Sequence, residues 1–208
     1  MKIALCGYKG KTGSKVYETL IEHNFDVIGI DKQDKLIEVI NIVDLVIDFT
    51  NKEVAKRHID ICIDNKINFI VASTGFNYYE LANIKARCNQ NNIKGIICYN
   101  FSFPINIILK TMPILSKYYE DISYLDIHHI SKIDKFSGTS YLFLLKNKKI
   151  KIKSIKTNKK TISYVVQMVG KYDKMIITYQ VTDKKAFALG ILYYLLSKDE
   201  SYLINLIG

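Results

Sequence analysis

Short apolar runs alternate with amphipathic stretches through the first half of the chain. The runs are rich in β-branched residues, which predicts strands, whereas the stretches between them repeat apolar residues every three or four positions, which predicts helices. Strands that alternate with helices form a parallel sheet. The predicted strands are Lys2–Cys6, Asp26–Ile30, Leu45–Phe49, Asn68–Ala72 and Lys94–Cys98.

The pattern changes after about Ile122, where longer runs alternate apolar and polar residues, as strands of a mixed or antiparallel sheet do. One helix is expected to begin near Ser137, and the strongly apolar segment Lys184–Leu196 predicts a closing helix. The predicted strands of this half are Ile122–His129, Ile150–Ile155, Thr161–Val169 and Lys174–Val181.

These patterns together predict an α/β chain with two domains. A Rossmann-like, doubly wound parallel sheet would occupy residues 1–101 plus 184–208 and bind a dinucleotide. A second, smaller α+β domain with a mixed or antiparallel sheet would occupy residues 102–183, bind the substrate and mediate oligomerisation. Thr50 and Glu53 have the spacing of a capping box before one helix, and Pro104 suits the first turn of another.

Composition restricts the class of protein. With 49% hydrophobic and 24% charged residues, the chain is typical of soluble globular proteins, and no apolar run approaches the roughly 20 residues that cross a bilayer. The segment from Met1 to Gly10 is interpreted as a strand and not as a signal peptide, so we expect a cytoplasmic protein. Four cysteines stand singly in apolar runs, which predicts buried thiols and no metal site. They are Cys6, Cys62, Cys88 and Cys98.

The formal charge of +10 suits nucleic acid, an anionic membrane or an acidic small molecule. Lysines carry this charge and are spread along most of the chain, and the densest stretch, Lys146–Lys160, is typical of a solvated surface. We therefore expect neither nucleic acid nor a membrane as partner. A positive background favours an anionic cofactor and a dicarboxylate substrate.

A glycine loop follows the first predicted strand and precedes the first predicted helix. In Gly7–Gly13 the glycines permit a tight turn that brings the backbone close to a pyrophosphate at a helix N-terminus. Asp31 ends the second predicted strand, where an acidic group holds a ribose. The loops Ala72–Gly75 and Asn100–Ser102 follow later strands and would admit a nicotinamide ribose, with Phe101 on the ring. The alternative is a glycine-rich turn and a surface aspartate.

The most informative stretch surrounds two adjacent histidines, His128 and His129, which Lys132 follows. Ser137–Thr139 opens a predicted helix, whose N-terminus suits an anion. A histidine can act as general acid near neutral pH, and a lysine can bind a carboxylate or polarise an imine. Strand alternation directs the two histidines to opposite faces, so they are expected to have different roles. The alternative is a pair of surface histidines beside a helix cap.

In sequence order, these segments together resemble the dihydrodipicolinate reductase family along nearly the whole chain. The stretch HHISKIDKFSGT is similar to the family's substrate motif HHxxKxDxPSGT, which is the specific part of the likeness; the glycine loop is less specific. The matching segments are GYKGKTG (Gly7–Gly13), VIDFT (Val46–Thr50), ASTGF (Ala72–Phe76), NFSFPIN (Asn100–Asn106), HHISKIDKFSGT (His128–Thr139) and ITYQVTDKKAFALG (Ile177–Gly190).

The resemblance implies roles for individual residues. His128 would be the proton donor and Lys132 its catalytic companion. The substrate carboxylates would be bound by His129, Ser137, Gly138 and Thr139. The cofactor would be bound by Gly7, Tyr8, Lys9, Gly10, Lys11 and Thr12 at the pyrophosphate, by Asp31 and Lys32 at the adenosine ribose, and by Ala72, Ser73, Thr74, Cys98, Tyr99, Asn100 and Phe101 at the nicotinamide end.

The resemblance also implies an activity. NADH or NADPH would reduce dihydrodipicolinate, or 4-hydroxy-tetrahydrodipicolinate, to tetrahydrodipicolinate in lysine and diaminopimelate biosynthesis. A hydride would reach a ring carbon conjugated with an imine, and the neighbouring carbon would then be protonated. The family forms homo-oligomers, so a tetramer or a dimer is expected.

This chain departs from the family in a shortened second lobe and in Tyr164 and Tyr179, which stand where the family has histidines. Two other hypotheses remain. One is another small Rossmann dehydrogenase of amino-acid metabolism with a different substrate lobe. The other is a degenerate relative that binds nucleotide and has a regulatory role.

Overall fold

The computed structural model describes residues 1–130, 137–158, 161–201 and 203–208. They form two compact units. Unit 1 comprises Met1–Phe101 and Phe187–Gly208, and unit 2 comprises Ser102–Ala186. The chain returns to unit 1 after residue 186, whereas the sequence interpretation has it return after residue 183.

Unit 1 is built on a five-stranded parallel sheet in the order β2-β1-β3-β4-β5. The sequence predicted all five strands, and the last three end one residue earlier than predicted. Strand order reverses between β1 and β3, and ligands bind outside the carboxyl ends of the strands at such a point. The strands are β1 (Lys2–Cys6), β2 (Asp26–Ile30), β3 (Leu45–Asp48), β4 (Asn68–Val71) and β5 (Gly95–Ile97).

Helices cover this sheet with apolar stripes. In the first helix Val16 and Leu20 are fully buried, one turn apart, and in the third Leu81, Ile84 and Cys88 form the buried face. All four cysteines are buried and free, as predicted. The helices are α1 (Gly13–Glu22), α2 (Lys52–Asp64), α3 (Tyr78–Gln90) and the closing helix α6 (Lys185–Ser197).

The predicted capping box at Thr50 and Glu53 is wrong. Asn51 is the N-cap of α2, and its side chain accepts a hydrogen bond from the Val54 N–H at 3.1 Å. Thr50 is instead held by Asp48, which accepts both its N–H and its hydroxyl. A complete capping box begins α3, where the side chains of Asn77 and Glu80 each accept the other's backbone N–H.

Unit 2 is a four-stranded mixed sheet with two helices. The order is β7-β6-β8-β9, in which β6 and β7 are parallel and the other pairs are antiparallel. The predicted helix near Ser137 begins at Gly138, and Pro104 lies in the first turn of its helix, as predicted. The elements are α4 (Phe103–Leu115), β6 (Asp121–His129), α5 (Gly138–Lys146), β7 (Lys151–Thr157), β8 (Ile162–Val169) and β9 (Lys174–Val181).

The two faces of the unit 2 sheet differ. Ile122, Tyr124, Asp126 and His128 are buried on one face, and α5 packs there through Phe143, whose ring stacks on Tyr124 at 4.1 Å. The opposite face carries side chains that are partly exposed. Within the described residues, no helix is both long enough and apolar enough to span a bilayer.

Candidate functional site

The glycine loop lies between β1 and α1, at the reversal point of the unit 1 sheet. Gly7 has a φ of +76°, and its carbonyl accepts the Gly10 N–H at 2.9 Å, which closes a tight turn. A Cβ on Gly13 would lie 2.1 Å from the Gly7 carbonyl oxygen, so α1 can begin here only because this residue is glycine.

This loop fits a dinucleotide pyrophosphate. Thr12, the N-cap of α1, makes no side-chain capping bond, and the first turn of α1 holds no acidic residue. The first N–H groups of the helix are thus left without a side-chain cap at a terminus of partial positive charge, which is the arrangement that binds phosphate.

Tyr8 has a packing role beside the loop. Its ring lies over Gly29 of β2, where an added Cβ would be 2.7 Å from the ring, and beside Tyr17 of α1, with 5.4 Å between ring centroids. Lys9 lies over the same ring, 5.4 Å from its centroid. The backbone of Tyr8 is therefore fixed against β2 and α1 where the chain turns.

The residue predicted to bind the adenosine ribose, Asp31, lies beside the glycine loop. Asp31 directly follows β2, and its carboxylate lies 4.0 Å from the Lys9 Nζ. Its own N–H donates to the Asp34 carboxylate at 2.7 Å, which holds the turn after β2. Lys32 is exposed in the same turn. Lys9 and Asp31 thus come together, and their role in binding a cofactor stays a prediction.

A buried carboxylate that the sequence analysis did not single out organises the next part of this edge. Asp48 is fully buried at the end of β3. Its Oδ1 accepts the N–H and hydroxyl of Thr50 at 2.8 and 2.6 Å and lies 3.5 Å from the Ser73 hydroxyl, while its Oδ2 lies 2.6 Å from His58 Nδ1 of α2. One side chain therefore ties together β3, α2 and the loop after β4.

The two loops of the predicted nicotinamide end are linked to each other. The Tyr99 hydroxyl accepts the Phe76 N–H at 3.0 Å and donates to the Phe76 carbonyl at 3.2 Å. The loop containing Ala72, Ser73 and Thr74 is thereby joined to the loop after β5.

The residues after β5 are buried more deeply than a contact surface would be. Cys98, Asn100 and Phe101 are buried, and burial raises the pKa of Cys98 to about 12. The Phe101 ring lies beside Phe49, with 6.3 Å between centroids, and a Cβ on Gly190 of α6 would overlap the Phe101 carbonyl. These side chains support the loop from inside unit 1.

One group in the described part of the chain has ligand atoms close enough for a metal ion. These atoms belong to Cys6, Asp48 and His58 and lie within 4.8 Å of one another. Burial above all, and then the Asp48 charge and Cys62, raise the pKa of the Cys6 thiol far above its usual range. Without an ion, Cys6 therefore stays a thiol, and Asp48 and His58 already bond each other across 2.6 Å.

In unit 2 the structure places the two histidines on opposite faces of β6, as predicted. His128 lies with Asp126 and Tyr124 on the face that α5 covers, whereas His129 is partly exposed on the other face. Lys132, the predicted companion of His128, lies outside the described residues.

Asp126 is the centre of a buried polar network. Its Oδ2 accepts the Ser140 hydroxyl at 2.8 Å and lies 3.5 Å from His128 Nε2. Burial acts to raise the pKa of Asp126, but the neighbouring polar groups of His128, Ser154, Ser137 and Ser140 outweigh it, so the pKa lies well below the usual range. The network therefore contains a carboxylate that stays ionised although its side chain is fully buried.

The N-terminus of α5 joins this network. Ser137 is the N-cap, and its hydroxyl oxygen accepts the Ser140 N–H at 3.1 Å. Since the Ser140 proton is given to Asp126, the Ser137 hydroxyl donates to Ser140 Oγ across 3.1 Å. Gly138 and Thr139 form the first turn, which contains no acidic residue. Of the predicted carboxylate-binding residues, Ser137 thus joins His128 in the network around Asp126, Gly138 and Thr139 follow it in the helix, and His129 lies on the other sheet face.

Aromatic rings line the same face. Tyr164 meets the His128 ring edge-on at 6.1 Å and stacks on Tyr179 at 6.0 Å. Tyr124 continues the stack, 6.4 Å from Tyr164. The two tyrosines in place of the family's histidines therefore pack as one column that fixes one side of the His128 ring.

The sequence analysis missed Asp126, Ser140, Asp48 and His58 as site residues. Asp126 stands two residues before His128 in a strand, and strand alternation alone places such residues on one face. Ser140 is three residues after the N-cap serine, at the usual position of a capping partner. The Asp48 to His58 pair left no such signal, because it depends on how α2 packs on β3.

A parallel sheet has a glycine loop at its reversal point, and the same chain carries a unit with a buried histidine, a carboxylate and a helix whose first turn has no acidic residue. These features define a dinucleotide-dependent oxidoreductase of the Rossmann type. The family model "Dihydrodipicolinate reductase, N-terminus" matches residues 1–101. Residues 1–101 thus match the N-terminal part of this family, and the whole chain is similar to its members.

Individual relatives agree with this assignment. The chain is 29% identical over 226 residues to the 4-hydroxy-tetrahydrodipicolinate reductase of Wigglesworthia glossinidia brevipalpis, covering 91% of this chain and 84% of that protein. It is 28% identical over 171 residues to the enzyme of that name from Methanocaldococcus jannaschii, covering 67% of this chain and 62% of that protein.

A solved structure with a similar fold carries the same family name. The dipicolinate-bound dihydrodipicolinate reductase from Paenisporosarcina sp. TG-14 superimposes with a TM-score of 0.77, at 17% identity, over 95% of this chain and 94% of that one. At that identity the likeness shows the fold alone, so the roles of single residues rest on the geometry of this chain.

Proposed function

We propose that this chain reduces dihydrodipicolinate, or 4-hydroxy-tetrahydrodipicolinate, to tetrahydrodipicolinate with NAD(P)H, in lysine and diaminopimelate biosynthesis. The observation that carries the proposal is the arrangement in unit 2, where His128 and the helix N-terminus at Ser137–Thr139 share one network. A proton donor and a carboxylate site are what a cyclic imine dicarboxylate requires.

The residues of unit 2 would bind and protonate the substrate. The N–H groups of Gly138 and Thr139 would hold one carboxylate at the α5 N-terminus, where partial positive charge favours an anion. His129 would contact the substrate from the end of β6. His128 would give its proton to the ring carbon beside the one reduced, with Lys132 as its companion.

The residues of unit 1 would hold the cofactor, which supplies the hydride when bound. Gly7–Thr12 and the α1 N-terminus would bind the pyrophosphate, and Asp31 the adenosine ribose. The loops tied by Asp48 and Tyr99 would fix the nicotinamide end, chiefly through their backbone, since Ser73, Cys98, Asn100 and Phe101 are buried.

Both NADH and NADPH would be accepted. Asp31 favours free ribose hydroxyls and repels a 2′-phosphate, whereas Lys9, which lies 4.0 Å from it, and the nearby Lys11 and Lys32 attract the phosphate. Exposed charges of this kind differ by about 1 kcal/mol or less each, so the preference would stay within roughly tenfold.

The chain would act as a homo-oligomer, a dimer or a tetramer, in the cytoplasm. The sheet face of unit 2 opposite α5 carries partly exposed Leu125, Ile127 and Val165, and Ile155 and Ile176 are about half exposed there. A second copy that covered this face would bury these side chains.

The experiment follows NAD(P)H absorbance with purified chain while dihydrodipicolinate is generated enzymatically in the same cuvette. We expect consumption that requires both the chain and the generating enzyme. A chain that binds NADH but consumes none would be a nucleotide-binding relative without the activity. Consumption with other imine or keto substrates, but not with this one, would identify a different Rossmann dehydrogenase.

A further inference from the structure

Asp126 lies fully buried beside the proposed proton donor, and no part of the proposed reaction uses it. An isolated ionised carboxylate is costly to bury, so it must be balanced by donors or by a cation. Ser140 supplies a hydroxyl donor at 2.8 Å. Within the described part of the chain, a group of opposite charge beside it is the ring of His128 when protonated, whose Nε2 lies 3.5 Å from the same carboxylate.

Within the described residues, Asp126 and His128 each keep an atom that makes no hydrogen bond. Neither Asp126 Oδ1 nor His128 Nε2 has a hydrogen-bond partner there, although both atoms are buried. A small rotation of the ring would turn the 3.5 Å approach into a charge-assisted hydrogen bond, and such bonds tighten when a site takes up its ligand. Tyr164, edge-on at 6.1 Å, limits the other orientations of the ring.

We propose that Asp126 is a positioning residue, which holds the His128 ring through Nε2 and so leaves Nδ1 to deliver the proton to the substrate. The inference rests on the proposed function. It names Nδ1 as the His128 nitrogen that donates the proton and Asp126 as the residue that holds the ring. A carboxylate on one ring nitrogen fixes the tautomer and stabilises the imidazolium, as in other Asp–His pairs. The same carboxylate bonds Ser140, so it also connects the proton donor to the α5 N-terminus.

Among the described residues, the titratable groups around the His128 ring come from three strands. Asp126 lies on β6, Lys156 is aligned with His128 on β7, and Tyr164 lies on β8. α5 contributes the uncharged Ser137 and Ser140. Lys156 is exposed and opposes a second cation, whereas Asp126 favours one. Loss of the Asp126 charge should therefore lower the pH at which His128 loses the proton that it would donate.

The kinetic test compares Asp126→Asn, which removes the charge and keeps the shape, with Asp126→Glu, which restores a carboxylate. We expect Asp126→Asn to lower kcat by at least about tenfold, with KM and NADH affinity nearly unchanged, and to move the alkaline limb of the pH profile to lower pH. Asp126→Glu should recover part of both. Asp121→Asn, which removes a charge at the exposed start of the same strand, serves as control and should alter neither kcat nor the profile.

A measurement without substrate separates this inference from the proposed function. In protein labelled with ¹⁵N in its four histidines, we expect a slowly exchanging Nε2–H of His128, assigned by its loss in His128→Asn, that Asp126→Asn abolishes or shifts. If wild type shows this signal but no reductase activity, the proposed function fails and the pair stands.

Two results would overturn the positioning role. One is a His128 Nε2 without a proton in the neutral form. The other is an active wild type whose Asp126→Asn variant keeps kcat and the pH profile. If Asp126→Asn does not fold, the wild-type spectrum and the kinetics of Asp126→Glu are used instead. A protonated Nε2 in wild type and an altered pH profile in Asp126→Glu would support the positioning role, and the absence of both would overturn it.

Discussion

At the scale of single residues, the groups proposed to do chemistry are placed differently from the groups that support them. Asp31 directly follows β2 and is partly exposed, and His128 lies one residue before the end of β6 and keeps a small exposed fraction, whereas Asp48 and Asp126 are fully buried and bond the residues around them. Burial of these two carboxylates of the described residues is costly; Asp48 is compensated by Thr50 and His58, and Asp126 by the Ser140 hydroxyl and the adjacent His128 ring.

The first prediction concerns the proposed proton donor. His128→Asn and Lys132→Ala should each lower turnover by roughly two orders of magnitude or more, because a placed general acid contributes about that much. Steady-state kinetics and a thermal melt check this. His23→Asn, which removes a histidine at the end of α1, is the control and should leave turnover unchanged. Full activity of both variants with normal melting would contradict the assignment.

The second prediction concerns cofactor choice. Asp31→Ala should weaken NADH binding by about 1.5–3 kcal/mol, because a charge-assisted hydrogen bond is lost. It should weaken NADPH binding far less. Specificity constants for both cofactors in wild type and variant measure this. Equal losses for the two cofactors, or a wild-type preference beyond about a hundredfold, would show that Asp31 does not meet the ribose.

At the scale of elements, the pattern of apolar positions was sufficient for the nine strands and six helices of the described chain, because burial against a sheet imposes the periodicity directly. Strand ends and caps were less predictable. Thr50 looked like an N-cap from its spacing, but the buried Asp48 competes for its hydroxyl, and Asn51 takes the position. Asp48 to His58 could not be predicted, since only packing brings them together.

The third prediction uses the start of α1. Gly13→Ala would place a Cβ 2.1 Å from the Gly7 carbonyl, so the loop must open and NADH affinity should fall at least about tenfold. Gly95→Ala is the control, because its Cβ would crowd Phe69 in the core at 2.5 Å. It should lower stability without a change in cofactor affinity. NADH titration of both variants decides, and equal affinities would exclude the loop from the cofactor site.

The fourth prediction concerns the start of α3. The Lys52 hydrogen bond first, then the Asn77 N–H and Lys56, lower the pKa of Glu80 from 4.5 to about 2, against the effect of burial. Its charge therefore stabilises the fold above about pH 4.5, and that contribution is lost as pH falls toward about 2.

Urea unfolding of wild type and Glu80→Gln, which keeps the capping acceptor, measures this contribution. The stability difference should be full near pH 7 and shrink as the pH is lowered toward about 3. Glu38→Gln, at an exposed position, serves as control and should show no such trend. A difference that stays constant with pH would mean that the Glu80 charge does not stabilise α3.

At the scale of the whole molecule, the two units carry different parts of one proposed reaction. The glycine loop and Asp31 in unit 1 suit a dinucleotide, and His128 with the α5 N-terminus in unit 2 suits a substrate with carboxylates. The order of segments along the chain was sufficient to predict this division. The network around Asp126 could not be predicted from the sequence, because only the fold of unit 2 brings its residues together.

The fifth prediction concerns assembly. Ile155→Lys with Ile176→Lys should reduce the mass measured by light scattering, because these residues are exposed on the sheet face opposite α5. Ile114→Lys, at an equally exposed position of α4, should not. A wild type with the mass of a single chain would contradict the proposed oligomer.

The central claim is that this chain transfers a hydride from NAD(P)H to dihydrodipicolinate. Its most direct test is mass spectrometry of the tetrahydrodipicolinate formed with NADH that carries deuterium at nicotinamide C4 on the face transferred. The account predicts one deuterium on a ring carbon of the product, formed only when the chain is present. Loss of the NADH signal without deuterium in tetrahydrodipicolinate, or no product at all under conditions where NADH binds, would contradict it.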